Sequence, residues 1–203
     1  FEDYICDDGR GAGPFKIKCT MWREGGKVIL DFNGTDPQSE SSINFYLNEN
    51  MFKMFFGIYM IMVFDPQILF NDGFYDLVEV RIPDGSLLKP KFPAALSCRT
   101  HALGRIFDVL GALLGQKTPE FLNAAGFSSS PHLMFSGYDA KGEWFQLFQI
   151  GFGGIPGRPF GDGPDGHSLW PGFTNVPNEF LERYFPMRIE PAGLFSSRSL
   201  KQK

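Results

Sequence analysis

The sequence is poor in cysteine, and the few cysteines present match no recognised metal or disulfide pattern. Cys6, Cys19 and Cys98 are scattered along 203 residues, with no CxxC and no Cys/His spacing of a zinc site. A small, odd number of dispersed thiols excludes a disulfide-stapled secreted domain and indicates reduced cysteines in a cytoplasmic protein. Each is most simply explained as a small core residue.

Clustered positive charge and long apolar stretches are also missing. The net charge is −4, and the only basic run is residues 201–203. Nucleic-acid-binding proteins carry a basic face or stripe, so no nucleic-acid partner is expected. Residues 52–69 form the most apolar window, but Lys53, Asp65 and Pro66 interrupt it. No membrane span is expected, because this window is too broken to cross a bilayer.

Phenylalanine, in contrast, is abundant at 23 residues. A phenylalanine side chain buries a large apolar area and needs no hydrogen-bond partner. The excess therefore indicates either a large core or a sizeable subunit interface, and a core position is the simpler interpretation for any single residue.

Alternating apolar and polar residues predict the strands of the fold. A hairpin is expected from residues 15–22 and 27–32 around Gly25 and Gly26. Residues 76–82 predict a further strand after a turn at 71–73. Residues 132–138 and 143–150 predict a second hairpin, closed by the turn at 139–142.

Apolar residues spaced by three and four predict two main buried helices, at residues 43–63 and 99–114. Thr100 is the expected N-cap of the second helix, since its hydroxyl can accept from first-turn N–H groups. Shorter helical segments are expected at 119–125 and 177–184. No linker of distinct composition divides the chain, so we predict one α+β domain: a mixed sheet, these two helices and a long ordered loop.

The long loop begins at Gly151 and is rich in glycine, aspartate and aromatic residues. Aromatic anchors such as Phe152 and Trp170 favour an ordered loop over disorder. Within it, Asp162, Asp165 and His167 are candidate catalytic residues, either as acid/base groups or around a metal ion. The alternative is structural, with the aspartates closing turns and the histidine bonding to a carbonyl. Their spacing matches no known metal site, so no metal ligand is assigned.

Four further residues are candidate contacts for a substrate or anion. Arg99 and His101 precede or open a predicted helix, where N–H groups and the helix dipole attract anions. Asn175 and Glu179 flank the start of the last predicted helix. The structural alternatives are a surface arginine, a packed histidine, and a glutamate that only complements the helix dipole.

Several short motifs, taken in order, resemble the hydantoinase B/oxoprolinase family. They are Asp31-Phe-Asn-Gly-Thr-Asp-Pro-Gln38, Asn71-Asp-Gly-Phe74, Val80-Arg-Ile-Pro-Asp-Gly-Ser-Leu-Leu-Lys-Pro90, Phe92-Pro-Ala-Ala95, Gly163-Pro-Asp-Gly166, Asn175, and Pro177-Asn-Glu-Phe-Leu-Glu182. Each motif is weak alone, whereas their common order covers nearly all of the chain up to about Ile189.

Within that family, Arg99-Thr-His-Ala-Leu-Gly-Arg105 and residues 162–170 are most similar to the large subunits of acetone carboxylases. This resemblance implies ATP-dependent joining of a ketone and bicarbonate to form a β-keto acid. The hydantoinase and oxoprolinase relatives imply ATP-dependent opening of a cyclic amide instead. Either activity implies an ATP-binding hydantoinase-A-like partner subunit, with ATP, Mg and a divalent metal in the complete complex, and a small third subunit is a further expected partner.

Two departures from the family pattern indicate a partial chain. The chain opens at Phe1 without an initiator methionine, and the family's His/Asp metal-binding segment is expected upstream. Residues 190–203 do not match the family's Ser-Gly-Gly- and Arg-Gly-Gly-rich continuation. We therefore predict a family domain over residues 1–189 and a non-matching tail, with no cofactor in this chain. The isolated chain is expected to be inactive, and a non-catalytic scaffold or interface role is a third hypothesis.

Overall fold

A computed structural model of the chain describes residues 1–63, 65, 67–121, 124–126, 132–151, 154, 156–163 and 176–190. The chain divides into two compact units, residues 1–129 with 156–162, and residues 130–155 with 163–203. The prediction of one α+β domain did not include this division into two units. The chain changes unit at 129/130, 155/156 and 162/163, so no single linker of distinct composition marks the division.

The first unit contains two small sheets. The N-terminal sheet pairs β1 (Glu2–Ile5) with β2 (Phe15–Lys18) in antiparallel register. A three-stranded sheet has the order β3 (Thr20–Glu24), β4 (Lys27–Asp31) and β5 (Val78–Arg81). Since β3 and β4 pair antiparallel and β4 and β5 pair parallel, the predicted mixed sheet is confirmed.

One continuous strand was expected over residues 15–22, but the chain divides it between the two sheets at Cys19. The Cys19 side chain is fully buried, and its backbone N–H donates to the carbonyl of Phe1 at 3.0 Å. Residues before this point pair with β1, whereas residues after it pair with β4. The alternation of apolar residues continues through the bend, which is why it predicted a single strand.

The first long helix, α1 (Glu49–Val63), begins six residues later than its apolar pattern suggested. Residues 43–48 precede the helix instead, and the N–H groups of Phe45 and Leu47 donate to the carbonyls of Leu87 and Leu88, each at 2.9 Å. Ile43, Asn44, Phe45 and Leu47 are all buried, so this segment packs into the core without helical structure. The helix starts after Asn48, whose Oδ1 accepts from Met51 N–H at 2.8 Å.

A short helix, α2 (Asp72–Leu77), replaces the predicted turn and the first residues of the predicted strand. Asn71 is its N-cap, and the Oδ1 atom accepts from the Gly73 N–H at 2.9 Å. Asparagine is common both in turns and at helix N-caps, so the sequence alone did not show whether Asn71 begins a turn or a helix.

The second long helix, α3 (Thr100–Lys117), confirms the prediction of a buried helix but not its cap. Arg99 is the N-cap residue, without a side-chain cap bond, and Thr100 already belongs to the helix. The Arg99 carbonyl accepts from Leu103 N–H at 3.3 Å. The Thr100 hydroxyl, one position too late to cap, has no hydrogen-bond partner among the described residues. A 3-10 turn at Pro119–Phe121 follows, within the predicted segment.

The core of the first unit lies where the two long helices pack against the strands. Helix α1 lies against β5, and α3 lies against β1 and β2. The rings of Tyr59 and Phe107 stack with centroids 5.2 Å apart and so join the two helices. Phe32 and Phe52 meet edge to face at 4.8 Å, and both are essentially fully buried. In the described part of the chain, no helix is long and apolar enough to cross a membrane.

The second unit is built on the predicted hairpin, β6 (His132–Tyr138) and β7 (Trp144–Ile150). A short helix, α4 (Asn178–Tyr184), follows Pro177 as predicted, and its Leu181 is buried. The ring of Phe145 lies 6.1 Å from that of Phe185. Most of the predicted Gly-rich loop lies outside the described residues.

Candidate functional site

A cleft of about 450 Å³ opens in the first unit, where three distant segments of the sequence meet. Its walls come from the end of β1 and the following loop, from residues 42–43, and from the start of α3. Its lining residues are Ile5, Cys6, Asp7, Asp8, Gly9, Ser42, Ile43, Cys98, His101 and Arg105. Since small-molecule sites typically occupy about 300–1,000 Å³, the cleft is large enough for a small ligand.

His101 and Arg105 lie four residues apart on one face of α3, and together with Cys98, which lies just before the helix, they form the helical wall. The N–H of Cys98 donates to the Ser42 carbonyl at 2.9 Å, and this bond fixes the entry to α3 beside the middle segment. Arg105 Nη1 lies 3.0 Å from Asp3 Oδ2. This ion pair joins the helical wall to β1 and holds the guanidinium at the cleft.

Asp7 and Asp8 form the acidic wall, in a loop that bends back on itself. Asp8 Oδ1 accepts from the N–H groups of Arg10 at 2.8 Å and Ala12 at 3.1 Å. The Arg10 N–H, followed by that of Ala12, lowers the pKa of Asp8 below its usual value, against an opposing effect of burial. Asp8 is therefore a carboxylate at neutral pH.

Gly13 closes this loop at a position where another residue would not fit. Its φ of +144° lies in a region that L side chains rarely adopt, and an added Cβ would collide with the backbone carbonyl of Cys6. The glycine therefore allows the loop to return towards β2 while keeping Asp7 and Asp8 at the cleft.

A buried asparagine, Asn44, links the chain segments that lie beside the cleft. Asn44 is fully buried, and its Oδ1 accepts from the Ser39 N–H at 2.8 Å. Its Nδ2 donates to the carbonyls of Ser39, Ser41 and Ala95 at 2.8, 3.0 and 3.1 Å. Ser39 Oγ in turn lies 3.4 Å from Asp8 Oδ2. The Asn44 side chain thus connects the segment before α1 with the segment before α3, and Ser39 Oγ extends this connection to the acidic wall.

The motif at residues 31–38, which carried much of the family resemblance, has a structural role. Thr35 Oγ1 accepts from the Lys18 N–H and donates to the Lys18 carbonyl, both at 3.1 Å. Asp36 Oδ2 accepts from the Lys16 N–H at 2.7 Å. These side chains replace a strand along the open edge of β2, so the motif organises the fold beside the cleft and does not line it.

The sequence-predicted contacts Arg99 and His101 separate in the structure. His101 lines the cleft, together with the acidic wall and Arg105. Arg99 is exposed at the N-cap of α3 and is not a lining residue of this cleft. Of these two residues, the structure places only His101 at this cleft.

The remaining candidates lie elsewhere. Asp162 is exposed at the end of the first unit, and Glu179 is exposed in the first turn of α4. Asp165, His167 and Asn175 lie outside the described residues. Among the residues that the structure describes, no group of three or more His, Cys, Asp or Glu side chains could hold a metal ion.

Sequence reasoning missed the acidic wall and the buried support of the cleft. Asp7-Asp8-Gly9 is dense turn chemistry and was a usable signal, whereas Asn44 has no local signature. The cysteines also differ from each other. Cys19 is buried, as expected of a core residue, but Cys6 is exposed and Cys98 is partly exposed.

Comparison with known proteins identifies relatives along almost the whole chain. The model of the hydantoinase B/oxoprolinase family matches residues 1–196. A protein of Pseudomonas sp. (strain NS671), assigned as the B-type subunit of a D-/L-hydantoinase, is 25% identical over 195 residues, which is 93% of this chain and 32% of that protein. The 5-oxoprolinase PfmaA of Pestalotiopsis fici is 31% identical over 108 residues, covering 53% of this chain and 8% of that protein.

Solved structures share the fold at low identity. The ATP-dependent caprolactamase of Pseudomonas jessenii superposes with a TM-score of 0.74 and 20% identity, covering 94% of this chain and 34% of that one. The nucleotide-free acetone carboxylase structure gives a TM-score of 0.64 and 20% identity, covering 83% and 23%. The α+β fold prediction is confirmed, and this chain spans about a third or less of each of these proteins.

Proposed function

The chain belongs to the hydantoinase B/oxoprolinase family, and from this premise we propose that it is part of the B-type subunit of an ATP-dependent enzyme that opens a cyclic amide. The observation that carries this proposal is the alignment of 93% of the chain with the B-type subunit of a hydantoinase. The 5-oxoprolinase relative supports the same chemistry, because hydantoin and 5-oxoproline are both cyclic amides.

A second candidate is ATP-dependent carboxylation of a ketone such as acetone. It is favoured by the segments at 99–105 and 162–170, which resemble acetone carboxylase large subunits. From these motifs alone, the sequence favoured ketone carboxylation over the opening of a cyclic amide. The sequence relatives support the cyclic amide instead, and the likeness to the solved acetone carboxylase is one of fold.

Both candidates require parts that we propose lie outside this chain. An ATP-binding hydantoinase-A-like subunit would supply ATP and Mg, a divalent metal would lie in the complete complex, and a small third subunit is a further proposed partner. The chain covers only 32% of the length of its hydantoinase relative. Without these partners, the 203-residue chain would serve as a scaffold or interface piece and would not turn over substrate.

The test is substrate-dependent ATP hydrolysis by the full-length subunit assembled with its ATP-binding partner. We expect hydantoin, 5-oxoproline or ε-caprolactam to stimulate ADP release together with the ring-opened product, and acetone with bicarbonate to have no effect. Stimulation by acetone alone would transfer the assignment to the ketone reaction. Robust turnover by the 203-residue chain without partners would contradict a partial subunit.

Asp162, Asp165 and His167 remain our proposed acid/base residues, and Arg99, His101, Asn175 and Glu179 our proposed substrate contacts. His167→Ala in the assembled enzyme should lower kcat by about 100-fold or more if the imidazole transfers a proton. His132→Ala, in β6, is a matched control that should keep kcat. Unchanged kinetics and an unchanged melting temperature for His167→Ala would leave that residue an ordinary part of the loop.

A further inference from the structure

The hairpin of β6 and β7 has one face that carries large, uncovered side chains. Directly paired residues of antiparallel strands point to the same side, and so do alternate residues along a strand. The register of this hairpin therefore places three consecutive cross-strand pairs on one face, which are Met134 with Phe148, Ser136 with Gln146, and Tyr138 with Trp144. We call these six residues the outer face.

The large side chains of the outer face are exposed although they are apolar or aromatic. The exposed fractions are 73% for Tyr138, 67% for Met134, 60% for Trp144 and 50% for Phe148. The opposite face of the hairpin holds Leu147, which is buried. Because contiguous exposed apolar side chains mark interaction surfaces, the outer face is a candidate contact surface.

The composition of the outer face is that of a protein interface. Tyrosine, tryptophan, phenylalanine and methionine are enriched at interfaces, whereas lysine, glutamate and aspartate are depleted. None of the six outer-face residues is an acidic or basic residue. The charged residues of the segment 132–150 are confined to the turn and its end, at Asp139, Lys141 and Glu143. The strands themselves therefore lack the charges that keep a permanently exposed sheet face in water.

The hairpin also needs more support than its own two strands provide. An isolated two-stranded hairpin is only marginally stable in water, and further strands or packing against other structure are required. In the described part of the chain, the sheet of β6 and β7 contains only these two strands. Covering the outer face would remove four large side chains from water and so supply part of this support.

We propose that the outer face packs against another part of the same B-type subunit, beyond these 203 residues. The chain covers 32% of its hydantoinase relative and 34% of the caprolactamase chain, so about two thirds of each lies outside the matching segment. Interfaces between parts that stay together permanently are more apolar than transient ones, which suits an uncharged aromatic face. The proposal rests on one element of the proposed function, that the chain is a piece of a B-type subunit.

The side chains of the outer face also define the chemistry of what covers them. Met134 and Phe148 require apolar neighbours. The hydroxyl of Tyr138 and the indole N–H of Trp144 require hydrogen-bond acceptors, because these groups usually find a partner when they are buried. The polar pair at the centre of the face requires partners for the same reason. An apolar surface with a few uncharged polar groups meets these demands, whereas a strongly charged surface does not.

The experiment is hydroxyl-radical footprinting with peptide mass spectrometry on three samples: the 203-residue chain, the full-length B-type subunit, and that subunit assembled with its ATP-binding partner. We expect Met134, Tyr138 and Trp144 to oxidise about 5-fold or more slowly in the full-length subunit than in the 203-residue chain, because interface anchors are almost fully desolvated. Assembly with the partner should cause no further change at these residues.

The opposite face of β6 provides the matched reference. Leu133 and Phe135 alternate with the outer-face residues along the same strand and are 51% and 43% exposed. Their oxidation rates should change much less than those of Met134 and Tyr138. Equal protection of both sets would contradict an interface on the outer face.

Other occupants of the outer face would give different results. Protection that appears only in the assembled enzyme would assign the face to the partner subunit and overturn the proposal. Protection that appears only as the concentration of the full-length subunit rises, together with a dimer in sedimentation, would assign it to a second copy and also overturn it. Unchanged oxidation rates in all three samples would show that nothing covers the face.

A substitution tests whether the contact stabilises the subunit. Tyr138→Ser should lower the melting temperature of the full-length subunit but leave that of the 203-residue chain nearly unchanged, because Tyr138 is largely exposed in the shorter chain. Tyr184→Ser, at an exposed position of α4, is the matched control and should have the same small effect in both proteins. Equal losses for Tyr138→Ser in the two proteins would place its role within the 203 residues and contradict the proposal.

These measurements need neither ATP nor substrate, so their failure and that of the proposed reaction can be told apart. If the assembled enzyme opens cyclic amides but the outer face stays exposed in the full-length subunit, only the interface assignment fails. If the outer face is protected but the assembled enzyme responds to acetone alone, the interface stands and the proposed reaction fails.

Discussion

The side-chain amide of Gln38 pairs with both backbone groups of Lys91, as a neighbouring strand would. Gln38 Oε1 accepts from the Lys91 N–H at 2.7 Å, and Nε2 donates to the Lys91 carbonyl at 3.2 Å. These residues are 53 positions apart in sequence. The pair joins the end of the 31–38 motif to the segment that leads into the α3 wall of the cleft.

Gln38→Ala should therefore destabilise the chain without changing its fold. Each such hydrogen bond contributes about 1 kcal/mol net, and both bonds here are exposed, so we expect a loss of about 1 kcal/mol in the free energy of unfolding for the pair. Urea denaturation followed by circular dichroism would measure it. Gln116→Ala, at an exposed position of α3, is the matched control, and an equal effect at both positions would contradict a specific role for Gln38.

Replacing Asn44 should cost more, because its amide is fully buried and bonds to three carbonyls and one N–H group. Asn44→Ala would leave the buried Ser39 N–H without its acceptor, and an unsatisfied buried group costs about 1–3 kcal/mol. We expect a loss of about 3 kcal/mol in the free energy of unfolding for the whole cluster. Asn50→Ala, on the exposed side of α1, should change stability little.

The thiol of Cys19 should react with alkylating reagents far more slowly than the thiols of Cys6 and Cys98. Burial raises the pKa of Cys19 to about 12, and its side chain is 0% exposed, so little reactive thiolate forms there. Cys6 and Cys98 both line the cleft. Iodoacetamide at about pH 8, near the ordinary thiol pKa, should alkylate those two in the native chain and reach Cys19 only after unfolding, as measured by peptide mass spectrometry. Modification of Cys19 as fast as Cys6 in the native state would contradict its burial.

Acid should weaken the attachment of α1 to the turn at residues 83–86. The Lys89 ammonium lies 2.9 Å from Glu49 and 3.2 Å from Asp84, and its hydrogen bond to Glu49 is the main cause of that residue's lowered pKa. Because the folded pKa of Glu49 lies below its unfolded value, its contribution is present above the unfolded pKa and is lost as pH falls through the folded one.

Lys89→Met should therefore lower stability at neutral pH and flatten its decline below about pH 4, the ordinary range of a glutamate. Thermal melts of both proteins from about pH 7 to about pH 3 would span that range. Parallel pH profiles for the variant and the parent would indicate that the ion pair contributes nothing. Lys117→Met, at an exposed end of α3, serves as the control.

Local patterns predicted the elements that are set by nearby residues. The hairpin around Gly25 and Gly26, the hairpin of β6 and β7, and the buried face of α3 all follow from periodicity and turn residues. The start of α1 could not be predicted in this way, because Ile43, Phe45 and Leu47 continue the apolar pattern of the helix. The N–H groups of Phe45 and Leu47 instead bond to residues 87 and 88, which are distant in sequence.

The cleft could not be predicted from local patterns either, because its lining residues are distant in sequence. His101 was selected from its place near a helix start, but nothing local connects it with Asp7 and Asp8. Pairing of β1 with β2 and the packing of α3 against both strands bring them together, and the bond from Arg105 to Asp3 spans 102 positions. A single sequence carries no direct record of contacts at that separation.

Residues 156–162 belong to the first unit although they follow the β6–β7 hairpin in sequence, and this affects when the first unit can finish folding during synthesis. The Ala124 N–H donates to the Gly157 carbonyl at 2.9 Å. This contact of the first unit cannot form until the residues after the β6–β7 hairpin have been synthesised. On a ribosome, the hairpin emerges before the first unit is complete, although domains generally fold as units from the N-terminus. A nascent chain stopped at residue 129 would lack this closing segment, and the growing polypeptide would hold an unfinished first unit while the hairpin is made.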